Sequence, residues 1–172
     1  MLASGLTVTL AGCLETIAGR GDGDDDANES DTSGGIDLGV VALNDNQPLL
    51  IVDTDDGRTI ANVHLHENGE DHWHRAPFEI PADGSRTVKV RLRDPAGDDL
   101  PVGRNEPIRL AIADAGDSAA GAFDADVDGD LVTFTGTTAG ESELSVVVIR
   151  TDDDEQAWQT PTLSVDVTAY SG

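Results

Sequence analysis

The feature that most narrows the folds open to this chain is a series of short apolar alternations, each closed by a turn dipeptide. Val88, Val90 and Leu92 alternate with Lys89, Arg91 and Arg93, the period-two pattern of a strand with one buried face and one wet face. Ile108, Leu110 and Ile112 repeat it, followed by Leu131–Thr135, Leu144–Ile149, and Leu163, Val165 and Val167. Three earlier strand regions are marked by Val40, Val41 and Leu43, by Leu49–Val52, and by Ile60, Val63 and Leu65. Asp56-Gly57, Asn68-Gly69, Asp83-Gly84, Pro95-Ala96-Gly97, Asp128-Gly129 and Ala139-Gly140 punctuate them, the residue types that turns demand. No stretch carries a convincing helical period. Many short strands at this spacing predict an all-β domain, a β-sandwich, over residues 36–172. A domain of that length buries enough surface to fold without disulfides, and with a single Cys no internal disulfide is available.

Charge bears on environment more than on fold. Asp and Glu number 34 against 10 Lys and Arg, giving a formal net charge of −24. Asp dominates the acids, and Lys89 is the only lysine. Such a field repels phosphate, which argues against a nucleic-acid partner. It also repels itself in dilute buffer; in molar salt the Debye length falls to about 3 Å and the repulsion is screened. The Asp-rich, Lys-poor surface resembles that of proteins from halophilic archaea.

The first 35 residues read differently. Met1–Gly12 is small and apolar and leads into Leu10-Ala11-Gly12-Cys13, which resembles a lipobox. There, small residues lie in a signal-peptidase groove and the Cys thiol accepts a diacylglycerol. Residues 1–13 are therefore expected to be a signal and lipobox segment, with Cys13 the lipidation site. The segment lacks a basic n-region, so either translation starts further upstream or Cys13 is a small buried residue. Residues 14–35, including GRGDGDDDANESDTSGG, have no apolar period and predict a disordered acidic tether.

Ala122–Thr135, running into Ala139-Gly140-Glu141-Ser142-Glu143-Leu144-Ser145-Val146, resembles the end of bacterial immunoglobulin-like repeats of surface proteins. There a strand, a Gly-containing turn and an hVT strand lead to a further Gly turn and an alternating strand. The resemblance implies an immunoglobulin-like β-sandwich that serves as an interaction or spacer module in the cell envelope.

Chemistry is concentrated in the histidines. All four lie in His64-Leu65-His66-Glu67-Asn68-Gly69-Glu70-Asp71-His72-Trp73-His74. Each pair is spaced i, i+2 and so projects from one strand face. Neutral imidazole suits zinc, nickel or copper(II), and Glu67, Glu70 or Asp71 could add a carboxylate. Register decides the outcome. A five-residue loop from Glu67 to Asp71 sets His66 against His72 and His64 against His74, with all four rings on one face. A two-residue Asn68-Gly69 turn sets His64 against Trp73 and splits the pairs between faces. The plain alternative is that His serves as a polar residue on an exposed strand.

Two further features stand out. Asp124, Asp126, Asp128 and Asp130 resemble the start of a calcium loop, D-x-D-x-D-G. The twelfth position is Thr135, not Glu, and no helices flank the motif, so a hairpin turn at Asp128-Gly129 is the favoured reading over a weak cation site. Six of the ten bases, Arg86, Lys89, Arg91, Arg93, Arg104 and Arg109, form a basic enclave; it reads as cross-strand pairing with acids in preference to a docking face for an acidic partner. No nucleophile elbow, Cys-His pair or phosphate loop is present. The expected role is non-enzymatic: an envelope binding module, held at the outer face of the membrane through lipid on Cys13, with an envelope protein or a metal ion as partner. The alternatives are a zinc or copper(II) lipoprotein and a structural spacer.

Overall fold

The computed structural model describes residues 35–66, 68–75, 77–114 and 122–169, all within one compact unit, Thr32–Gly172. Cys13 and almost all of the expected tether lie outside the described residues. Among those described there is no helix, and so none long and apolar enough to cross a membrane.

Among the described residues twelve strands form: β1 (Leu49–Asp53), β2 (Thr59–His64), β3 (His72–His74), β4 (Phe78–Pro81), β5 (Ser85–Arg93), β6 (Asp99–Leu100), β7 (Ile108–Asp114), β8 (Phe123–Asp128), β9 (Leu131–Gly136), β10 (Gly140–Arg150), β11 (Gln156–Gln159) and β12 (Leu163–Thr168). One sheet runs β3-β2-β1-β5-β9-β8, with β6 beside β5; the other runs β11-β10-β12-β4, with β7 on the far side of β10. Every pairing is antiparallel except β12 with β4. This is the all-β sandwich that the alternation predicts.

The alternation explains the layering. On β5 the apolar set Val88, Val90 and Leu92 is fully buried while Lys89, Arg91 and Arg93 point the other way. Leu49, Ile51, Ala61, Val63, Val132 and Phe134 join them from the first sheet. Phe78, Ile80, Ile108, Leu144, Val146, Val148, Leu163 and Val165 answer from the second. Phe134 lies at the junction, edge-on to Phe78 at 5.2 Å and to Phe123 at 5.7 Å between ring centroids, the geometry favoured by ring quadrupoles.

One expected strand region does not form. Val40–Leu43 contributes only an isolated bridge between Asp37 and Ala42. Gly39 takes a positive φ of 82° and donates its N–H to the Asp37 carboxylate at 2.8 Å, so the chain folds back on itself at once. Leu38 and Leu43 are still buried; they enter the core from a turn, not a strand. Conversely, β4, β6 and β11 are too short to show a period.

Candidate metal centre

The centre is built on the β2–β3 hairpin, the outer edge of the first sheet. Its register is His64 opposite His72, Val63 opposite Trp73 and Asn62 opposite His74. Val63 is fully buried and Trp73 packs half-buried against the core. The Trp73 indole N–H donates to the Pro161 carbonyl at 2.7 Å, in the link between β11 and β12. These inward anchors fix the parity of the hairpin, so His64, His72 and His74 face outward; His66 lies in the connection, beyond the paired residues.

The register matches neither expected pairing. Its parity is that of the odd loop, so all four rings share one face, but the pairing is displaced: residues 65–71, not 67–71, make the connection. The cause is local hydrogen bonding. Gly69 (φ 76°) donates its N–H to the His66 carbonyl, and the His66 N–H donates to the Asp71 carboxylate at 3.0 Å. Asn68 accepts from the Glu70 N–H at 3.2 Å and donates to its carboxylate at 2.7 Å. Asn68-Gly69 thus forms part of a wider turn that closes before the strands resume.

The rings are close. His66 lies 4.5 Å from His64 and 5.0 Å from His72 between centroids, stacked on the latter. His74 lies 4.6 Å from His72 and 5.3 Å from His64. One nitrogen each from His64, His66 and His72 falls within 4.8 Å of the others. Tetrahedral zinc with bonds near 2.0–2.1 Å needs ligand nitrogens roughly 3.4 Å apart. Closing that gap requires the rings to turn about their χ angles, and two of the three are exposed. The His64 pKa is lowered from its ordinary value, first by partial burial and then by the neighbouring imidazoles of His66, His74 and His72. Neutral imidazole is the form that binds a metal. A cleft of about 620 Å³ opens beside His66, lined also by Asp45, Asn46, Leu65 and Asp71. Glu67 lies outside the described residues.

The remaining candidates fall elsewhere. Asp124, Asp126 and Asp128 stand in a row on β8, opposite Thr135, Thr133 and Leu131. Neighbours two apart on a strand are nearly 7 Å apart, and among the described residues only the histidine trio gathers three potential ligands together. Gly129 (φ 63°) and Asp130 form the two-residue turn into β9, and Asp130 pairs with Lys89 at 2.8 Å. Four of the six bases of the enclave are ion-paired: Lys89 as above, Arg91 with Asp99 at 2.7 Å, Arg86 with Asp53 at 2.9 Å and Arg109 with Asp154 at 3.1 Å, while Arg104 makes no ion pair among the described residues. Arg93 lies apart from these pairs, its Nε buried with no hydrogen-bond partner.

No family model and no curated protein matches the chain. Solved structures give partial likenesses. Domains 4 and 5 of the S-layer protein SbsC are 9% identical with a TM-score of 0.37, over 71% of this chain and 77% of that one. The PKD domain of the KIAA 1837 protein is 18% identical with a TM-score of 0.30, over 55% of this chain and 82% of that domain. At these scores the fold rests on the strand pairing of the chain itself.

Proposed function

We propose that the chain is a non-enzymatic, extracytoplasmic β-sandwich module that binds a divalent transition ion, zinc or copper(II), on the outer face of its first sheet. The observation that carries this reading is the grouping of His64, His66 and His72 at the β2–β3 hairpin, with ligand nitrogens within 4.8 Å of one another. An all-nitrogen trio favours borderline ions over calcium or magnesium, which want oxygen. The lipobox-like sequence at Cys13 and the acidic stretch after it support a lipid-anchored module displayed on a tether. The immunoglobulin-like resemblance of residues 122–146 supports an envelope setting, with a protein of that envelope as a further partner.

The test is calorimetric titration of the untagged full chain in molar salt, carrying Cys13→Ser so that the thiol adds no ligand. Zinc and copper(II) are titrated against it, with calcium as control, and against a variant with His64, His66, His72 and His74 all changed to Ala. The expected result is micromolar or tighter binding of a transition ion that weakens at least a hundredfold in the variant, and no calcium binding at the same concentrations. Equal affinity in both folded proteins would overturn the reading.

A further inference from the structure

We infer that His74 closes the site within the same chain, and that the four imidazoles form a tetragonal plane suited to copper(II) in preference to zinc. The inference rests on the metal-binding reading above and names the ion and its geometry.

The separations among the rings carry it. His66 lies 4.5 Å from His64 and 5.0 Å from His72, and His74 lies 4.6 Å from His72 and 5.3 Å from His64. His64 and His72, which the register sets directly opposite, are further apart than any of these, at 5.8 Å. The centroids therefore run in a closed circuit, His64 to His66 to His72 to His74 and back. Each ring meets two neighbours along the sides, and the line from His64 to His72 is a diagonal.

The hairpin explains the circuit. β2 ends at His64, and the connection carries His66 past that end while its ring stacks on His72. His74 stands at the other end of β3, opposite Asn62 and on the same strand face as His72. The two flanking rings thus approach the central pair from opposite directions, which puts His66 and His74 at opposite corners. This accounts for His74 standing outside the trio whose nitrogens lie within 4.8 Å of one another.

The ligands of a tetrahedral ion are all equally far apart. Those of a square plane have four short sides and longer diagonals, the pattern seen here. Zinc draws no geometric preference from its d electrons and settles in tetrahedral sites. A tetragonal nitrogen set suits copper(II) or nickel(II), and copper(II) stands above nickel in affinity. His66, His72 and His74 are exposed and His64 half-buried, so the rings that must turn to bring the nitrogens together are mostly free to do so.

Affinity alone does not test this, because copper(II) outbinds zinc at most nitrogen sites. The test reads geometry. The full chain carrying Cys13→Ser is loaded in molar salt with less than one copper(II) per chain. Continuous-wave electron paramagnetic resonance then reports the symmetry, and electron spin echo modulation from the remote imidazole nitrogens counts the rings in the plane. The expected result is an axial spectrum with four rings, falling to three in His74→Ala and to three in His66→Ala. Both positions are exposed, and circular dichroism checks that each variant keeps its fold. Three rings or fewer in the unsubstituted site, with no change in His74→Ala, would overturn the closed plane while leaving metal binding in place. Four rings with a strongly rhombic, tetrahedrally distorted spectrum would overturn the tetragonal geometry. A copper spectrum that is unchanged when all four histidines become Ala would remove both readings together.

Discussion

At the scale of single residues, His64 links the candidate centre to stability. Its pKa in the folded protein lies below the ordinary value of 6.5, because burial and three neighbouring imidazoles disfavour its charge. Where the unfolded chain takes up a proton more readily than the folded one, stability rises with pH. The contribution of His64 is therefore complete above pH 6.5 and is lost as the pH falls through the lower, folded value. Asp53 and Asp153 are shifted down as well, the first chiefly by the Asp55 N–H and Arg86, the second by the Glu155 N–H and Arg150. Their losses begin below 3.8, outside this window. Urea unfolding of metal-free protein in molar salt should show the midpoint falling between pH 8 and pH 5.5, and falling less in His64→Gln. An equal fall in the variant would place the effect on other groups. The candidate ligands themselves were legible in the sequence, because four histidines at i, i+2 spacing cannot avoid sharing faces in pairs. Their convergence was not legible, since it depends on Val63 and Trp73 choosing the inner face and on hydrogen bonds among residues 66–71.

At the scale of elements, long strands announced themselves and short ones did not. β5, β7, β10 and β12 alternate over enough residues to declare a period, whereas β4 and β11 span four residues and β6 two. β8 carries DADVD outward of a buried Phe123; its acids resembled a calcium loop because strand alternation and that motif share the same spacing. The crossing from β4 to β5 depends on a residue with no side chain. Gly136, at the end of β9, donates its N–H to the Gly84 carbonyl at 3.0 Å and accepts from the Asp83 N–H at 3.1 Å. A Cβ at Gly136 would collide with the Pro81 carbonyl and press on Val167 at 3.0 Å. Both are fixed, one by backbone and one by the core, so neither yields easily. Gly136→Ala should cost about 1–3 kcal/mol of stability, the range for overpacking a filled site, read from urea unfolding. Gly57→Ala is a useful contrast: it has a positive φ of 72° but nothing within 4 Å of a Cβ, so it isolates backbone strain from crowding. A neutral Gly136→Ala would mean that the two sheets can slide apart at this crossing.

At the scale of the whole molecule, a charge of −24 sets the conditions under which the centre can be seen. A field of that size concentrates any divalent cation near the surface, and rows such as Asp124, Asp126 and Asp128 offer oxygen to weakly held ions. In dilute buffer zinc should therefore bind at several places, with apparent affinity raised by attraction that owes nothing to geometry. Salt removes this contribution selectively. As the Debye length falls from about 10 Å at 0.1 M to about 3 Å at 1 M, long-range attraction fades, while coordinate bonds at about 2.0–2.1 Å do not. The same screening relieves self-repulsion of the folded chain, so the thermal midpoint should rise over that interval as the zinc stoichiometry falls. Titrations of the full chain carrying Cys13→Ser at 0.1, 0.5 and 2 M potassium chloride should converge on one zinc per chain. That last site should vanish when the four histidines are replaced. A stoichiometry still above one at 2 M would show that acids on the sheet surfaces hold ions by geometry as well as by field. A count falling to zero would show that zinc followed charge alone, and that the shared outer face of His64, His66, His72 and His74 is a polar strand surface with no ion to hold.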